Sequence, residues 1–229
     1  MTQKFFKKII VTLAKKISRK NLKKFLIRDL KKLNISHEKV SLLEVGSNGE
    51  TSKWIKRFKF YEKKSIDIDA TRYPDQVLDV CDNEFEKKIQ FSPDCIVALE
   101  VFEHLNDPFL AIENLRKILK KEGIIIISTP FILGIHDSPH DYFRYTKFGL
   151  MNLFKDFSNV NITQRNDGVF DIIFVLLMRS YQDKRILNKF LGSFFVIFYY
   201  IFFPFIFVLN KFFRSDLITT GYYLVAKNK

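Results

Sequence analysis

Several acidic residues and one glycine turn fall where strands are expected to end, and side chains of these types can hold a nucleoside. The stretch Lys39 to Val45 reads as a buried strand opening on Gly46-Ser47-Asn48-Gly49, with a helix following from Thr51 to Phe60. Small residues in that turn let a ligand approach the backbone, and Glu44 stands just before it. A second expected strand ends at Asp67, whose carboxylate suits both hydroxyls of a ribose. A third ends at Asp79, suited to an amino group of a base, and a fourth at Leu99-Glu100. Beyond them, His104, His136 and His140 are candidate general bases, with Glu103 and Asp141 behind them. The alternative for Glu103-His104 is a helix-terminus pair that only shapes the pocket. The run His136 to Tyr145 is richer in polar groups than an ordinary connection and reads as an acceptor-side lid.

The elements that must position these residues alternate. Strands are expected at Ser65 to Asp69, Gln76 to Val80, Asp94 to Leu99 and Ile124 to Ser128, with helices between them. The best-marked helix starts at Asp107-Pro108, a cap with proline in the first turn, repeats Phe109, Ile112, Leu115 and Leu119, and stops near Gly123. Thr146 can cap a helix to Phe157, and Asn159 to Gln164 and Thr220 to Ala226 read as further strands. The expected fold is therefore α/β, a doubly wound and mostly parallel sheet covered on both faces, with its ligand beyond the carboxyl ends of the strands. Before the sheet, apolar residues from Phe5 to Leu33 recur at helical spacing among lysines, which predicts one or two basic amphipathic helices, with Asn21 or Ser18 as a cap for the second.

A nicotinamide dinucleotide site is the first rival, since Asp67 follows Gly46 at nearly the right spacing. Its next two glycines would fall at Asn48 and Thr51, and the fingerprint fails. The segments FSPDCIVALEVFEHLNDP, NLRKILKKEGIIIISTPF and HDSPHDYFRYTKFGL, in that order and spacing, instead resemble consecutive signatures of class I S-adenosylmethionine-dependent methyltransferases of the type 11 group. The resemblance covers roughly Lys39 to Gln164 plus the last strand. It implies a seven-stranded Rossmann-like sheet and S-adenosylmethionine as cofactor. It further implies that LLEVGSNGE is the cofactor loop and that Asp67, followed by Ile68, binds the ribose. Asp79 with Val80 would contact the adenine, and Leu99 and Glu100 would lie beside the methionine part. Asn48 departs from the family's usual glycine and Glu50 from a frequent one, although Asn tolerates positive φ better than most residues. A sulfonium methyl is already activated, so alignment of acceptor, methyl and sulfur accounts for much of the rate, up to roughly 7 to 11 kcal/mol for ideal orientation. A hydroxyl acceptor needs its proton removed as well. No metal is assigned, although the spacing of Glu100, Glu103 and His104 also resembles the metal-binding residues of small-RNA 2′-O-methyltransferases and ubiquinone-pathway O-methyltransferases. The fourth strand closes on Leu99-Glu100-Val101-Phe102 without an Asn-Pro-Pro-Tyr-like tetrapeptide, which argues against exocyclic adenine or glutamine nitrogen as acceptor.

With 229 residues the chain holds one catalytic domain with additions. Its net charge of +13 sits almost wholly in the first 39 residues, so the acidic partner implied is met by the N-terminus, either anionic lipid or nucleic acid. Cys81 and Cys95 lack metal-ligand spacing and read as small core residues, and the short apolar run Ile9 to Ala14 does not make a secretory signal. We divide the chain into a basic helical segment (1–38), a core (39–167), an aromatic-rich insertion (168–214) and a final strand (215–229). Phe190 to Leu209 is free of charge and long enough, at about 30 Å as a straight helix, to cross a bilayer core. If the strands before and after the insertion share one sheet, both of its ends return to the same side. The expectation is then a monotopic or re-entrant insertion flanked by Lys184, Arg185, Lys189, Lys211 and Arg214, on the cytoplasmic side of a membrane, with a soluble lid as the alternative. The leading activity is O-methylation of a small, lipid-linked or saccharide acceptor. RNA methylation and a non-catalytic membrane-associated scaffold are the rivals.

Overall fold

Two serine–aspartate pairs clamp the parallel half of the sheet. The computed structural model describes residues 2–33, 39–47 and 49–229, with side chains from Lys8 onward. Strand β1 (Ser41–Val45) runs parallel to β2 (Glu62–Asp67) and to β4 (Cys95–Leu99), β2 pairs with β3 (Gln76–Val77), and β4 with β5 (Ile124–Pro130). With β6 (Ser158–Gln164) and β7 (Gly221–Lys227) they form a mixed seven-stranded sheet in the order β3-β2-β1-β4-β5-β7-β6. At the entry of β1 the Asp94 carboxylate accepts from the Ser41 backbone N–H (2.8 Å), the Ser41 hydroxyl (2.6 Å) and the Lys120 ammonium (2.8 Å). Asp75 repeats the device on β2, taking the Ser65 N–H and hydroxyl at 2.7 Å each. Burial alone would raise the Asp94 pKa, but the bonds from Lys120 and Ser41 outweigh it and hold the carboxyl below its ordinary range.

The chain forms two compact units. The first comprises Leu22–Thr129, Asp137–Thr163 and Tyr223–Lys229 and contains most of the sheet. Its helix α2 (Leu22–Lys32) places Leu22, Leu26 and Leu30 on one stripe, and all three are fully buried against a core of Leu42, Val97, Ile126 and Tyr223. Each such burial is worth roughly 1.5 to 3 kcal/mol. The remaining helices of this unit are α3 (Ser52–Ile55), α4 (Phe85–Ile89), α5 (Pro108–Ile118) and α6 (Lys147–Leu153). Asp107 caps α5 by accepting from Leu110 N–H at 2.9 Å, and Thr146 caps α6 by accepting from Gly149 N–H at 3.0 Å. At the other end of α5, the Asn228 amide donates to the Leu119 carbonyl at 2.7 Å, which satisfies an orphan acceptor of the last turn. Three expected elements are shorter than their sequence pattern. The third strand stops at Val77, the helix after the glycine turn is a single turn, and α6 ends at Leu153 and not at Phe157.

The second unit comprises the N-terminal segment through Asn21, Pro130–His136 and Gln164–Tyr222. It contains α1 (Thr2–Ser18), α7 (Val169–Arg179), α8 (Ile186–Ile201) and α9 (Phe203–Phe212). The two N-terminal helices thus serve different units. The apolar stripe of α1, Ile10, Ala14 and Ile17, is buried with Val175, Met178, Val196 and Tyr199 of the insertion helices. Neither expected cap of α2 acts as one: the Ser18 hydroxyl donates to the Lys15 carbonyl at 3.2 Å, and Asn21, at φ +64°, donates its amide to the Arg165 carbonyl at 2.9 Å. α8 crosses the turn after α7 at Gly192, where a Cβ would lie 2.2 Å from the Tyr181 nitrogen. Asp171, fully buried, accepts from the Tyr199 hydroxyl (2.7 Å) and from the amides of Asn210 (2.8 Å) and Asn166 (3.0 Å), and it pairs with the Lys20 ammonium. One carboxylate therefore ties the end of α1 to α7, α8 and α9, and its charge is compensated where it is buried.

Candidate active site

The turn after β1 is stitched to the end of β2. Gly46 N–H donates to the Ile66 carbonyl at 2.9 Å, and Ser47 N–H donates to one Asp67 oxygen at 2.8 Å. The other Asp67 oxygen accepts from Asp69 N–H at 2.9 Å. An ionised carboxylate has about four acceptor positions, so Asp67 retains capacity for ligand hydroxyls. Gly46 has φ +84°, and a Cβ there would lie 2.7 Å from Val101 Cγ2. Both the conformation and the space require glycine. Asn48, the first of the two departures from the family pattern in this loop, lies outside the described residues, while Gly49 closes the turn. Ile68, next to Asp67, holds its side chain exposed and offers an apolar surface beside the carboxylate.

Asp79 is not the last residue of a strand as expected. It sits past the end of β3 and opens a turn, its carboxylate accepting from Cys81 N–H at 2.8 Å. That loop is held from α5, where the buried Asn114 donates its amide to the carbonyls of Val80 (2.9 Å) and Asp82 (2.8 Å). The Cys81 thiol is pushed up by burial and donates to the Asp107 carbonyl, so it is a packing group and not a nucleophile. Leu99 is buried at the end of β4, and Glu100 follows at φ +58°, the left-handed region that a non-glycine residue occupies at a cost of order 1 to 3 kcal/mol. It is held there by its own N–H to the Ser128 carbonyl and by the Ser128 hydroxyl to its carboxylate, both at 2.9 Å.

A single 3-10 turn over Phe102–His104 follows, and the segment after Asp137 is fastened to it. The Glu103 carbonyl accepts from the backbone N–H groups of Tyr142 (2.8 Å) and Phe143 (3.1 Å), the Phe102 carbonyl accepts from the Tyr145 hydroxyl (2.9 Å), and His104 Nδ1 meets the His140 carbonyl at 2.5 Å. These bonds make residues 137–145 a fixed wall of the first unit, not a free lid. His104 is half-buried, with Nε2 3.7 Å from the carboxylate of the fully buried Glu103. His140 is exposed and its Nδ1 meets the Tyr142 hydroxyl at 3.0 Å. Asp141, expected behind the histidines, instead binds Arg144 through two bonds of 2.6 and 2.7 Å. Burial pushes the Tyr145 phenol up, reinforced by the Glu103 charge, so Tyr145 is a donor and not a base. His136 belongs to the second unit.

Residues 5–164 match the methyltransferase-domain family. The chain belongs to that family. None of the curated proteins matches it. Among solved structures, a SAM-dependent methyltransferase from Archaeoglobus fulgidus is similar at 15% identity, covering 90% of this chain and 94% of that one with a TM-score of 0.55. A putative sarcosine dimethylglycine methyltransferase from Galdieria sulphuraria follows at 14% identity, with 91% and 86% covered and a TM-score of 0.53. Coclaurine N-methyltransferase bound to N-methylheliamine and SAH is similar at 12% identity, with 89% and 72% covered and a TM-score of 0.50.

The methyltransferase uses S-adenosylmethionine, and the residues present fit that group. One oxygen of the buried Glu44 carboxylate binds Lys63 at 2.8 Å while the other is buried without a hydrogen-bond partner among the described residues, as an acceptor awaiting a ligand donor would be. Asp67, Asp79 and Glu100, at or just past the ends of β2, β3 and β4, join the buried Glu44 of β1 as carboxylate acceptors suited to a ligand with hydroxyl and amino donors. Asn114 and Ser128, which hold the Asp79 loop and Glu100, are the supports that the sequence reading missed. The first had a signal, being the polar residue within the buried stripe of α5.

Proposed function

We propose that the enzyme transfers the cofactor's methyl group to an oxygen, hydroxyl or carboxyl, of a small lipid-linked or saccharide acceptor. The observation that supports an oxygen acceptor is the state of His104. A carbonyl can only accept, so the 2.5 Å contact with the His140 carbonyl places a hydrogen on Nδ1 and makes Nε2 the ring nitrogen that can act as a base. Nε2 can take the proton that an attacking hydroxyl must lose, and the buried Glu103 carboxylate beside it stabilises the imidazolium that forms. The bound cofactor supplies a methyl already activated on a sulfonium, so the remaining work of the chain is alignment and proton removal.

The test is transfer of labelled methyl from the cofactor to total lipid, saccharide and RNA extracts, with the alkali lability of the product separating esters from ethers and amines. Label in lipid or saccharide, with turnover reduced on the order of 10²-fold or more by His104→Gln at unchanged cofactor affinity, is the expected result. Label confined to RNA, or on nitrogen, would replace the oxygen reading.

A further inference from the structure

We infer that the insertion docks the enzyme on an anionic lipid bilayer as a wedge one leaflet deep, entering by the corner between α8 and α9. The inference deepens the proposed reaction and takes its purpose, though not its geometry, from the reading of a lipid-linked acceptor.

α8 uses one face on the protein: Gly192, Val196 and Tyr199 are buried. A helix on a water-facing surface would carry charge on the opposite face. Here that face is Leu187, Phe190, Phe194, Ile197 and Ile201, all exposed, and it continues into Phe205 of α9, which is 62% exposed. From Phe190 to Asn210 there is no charged residue. Cations cluster instead at the two far ends of the pair, Lys184, Arg185 and Lys189 at the start of α8 and Lys211 and Arg214 at the end of α9. An apolar corner with basic ends is complementary to a bilayer whose headgroups are anionic, and not to an apolar protein face, which would leave those ends unmatched.

The dimensions give the depth. No single helix among the described residues is long and apolar enough to cross a membrane, and α8 and α9 meet at a bend of 81°. At 1.5 Å per residue the two arms are ~24 and ~15 Å long, so with that bend the corner stands ~12 Å from the line joining the basic ends. A hydrocarbon core is ~30 Å thick, so the corner stops within one leaflet when the cations lie at headgroup level. The base of the insertion is closed as well. Val169 N–H donates to the Phe213 carbonyl at 3.1 Å, Ser215 N–H to the Asp167 carbonyl at 3.0 Å, and Gly168 bridges Arg214. Ends that are hydrogen-bonded to one another cannot lie on opposite sides of a bilayer. Ile10, Ala14 and Ile17 of α1 are buried with residues of α7 and α8 and are not part of this apolar corner.

The experiment is flotation of the full chain with vesicles of phosphatidylcholine alone and of phosphatidylcholine mixed with phosphatidylglycerol. The wild type should float with the mixed vesicles, less with the neutral ones, and less again in high salt. The double variant Ile201→Asp/Phe205→Asp, both positions being exposed, should keep its helical spectrum and its S-adenosylhomocysteine affinity while vesicle binding falls on the order of tenfold or more. Retained cofactor binding separates failure of this inference from failure of the methyl-transfer reading. Wild type that does not float, a variant that floats as well as wild type, or a stable dimer that the double variant dissolves and that ignores vesicles would each overturn it.

Discussion

Gly46 and Glu100 sit on adjacent strand ends, and both occupy left-handed backbone conformations, the one at φ +84° and the other at φ +58°. The first is permitted by the absence of a side chain and the second is imposed by Ser128. Gly46→Ala should therefore both strain the turn and push on Val101, weakening S-adenosylhomocysteine binding by about 1 to 3 kcal/mol in a protein that still folds, as calorimetry would read. An unchanged affinity would place the cofactor away from this turn. At this scale the sequence was informative wherever a residue type is demanded by its own backbone, as at Gly46 or the caps Asp107 and Thr146. It was silent where a side chain acts on a distant segment. Nothing local distinguishes Asp141 as the partner of Arg144 from Asp141 as the support of a histidine, since both readings are satisfied by the same short polar stretch. The role of Ser128 depends on its register opposite Leu99, which only the assembled sheet defines.

The elements were legible where periodicity and capping agree, as in α5, and less so where tertiary bonds set the limits. β3 is cut to two residues because Asp75 before it is bound to Ser65 and Asp79 after it turns back on Cys81. The Ser41–Asp94 clamp joins residues 53 apart and has no sequence signature. Asp94→Asn should lower stability at neutral pH by about 1 to 2 kcal/mol, allowing for partial exposure. The folded carboxyl is held below its ordinary pKa, so its contribution is complete above the unfolded value and is lost as pH falls through the folded one. Wild type and variant should accordingly differ in denaturant midpoint at pH 7 and converge well below about pH 4. A difference that persists in strong acid would mean that the clamp acts by shape rather than charge. Within α2, Leu26→Ala should cost about 2 to 5 kcal/mol, because Leu26 is fully buried in the core of the first unit. A loss within the error of surface substitutions would show that α2 is only draped on the sheet.

For the molecule as a whole, composition located the charge at the N-terminus and the apolar run in the insertion, but it could not divide α1 from α2. Both carry the same stripe of apolar residues among lysines, and what separates them is which core receives the stripe: the insertion helices for Ile10, Ala14 and Ile17, the sheet for Leu22, Leu26 and Leu30. The fold was readable because alternating strands and helices leave one arrangement with both faces of a sheet covered. The acceptor was not, because residues 137–145, read as the acceptor side, form a loop whose geometry follows from bonds to Glu103 and Phe102. The acidic residues and the glycine turn at the strand ends are expected to hold the adenosyl cofactor. Titration calorimetry of the full chain with S-adenosylhomocysteine tests this most directly. Saturable binding at one site is expected, weakened by about 1 to 3 kcal/mol in Asp67→Ala, the scale of leaving buried polar groups unpartnered. Absence of binding at millimolar ligand by the folded protein, or an Asp67→Ala variant that binds as tightly as wild type, would contradict it.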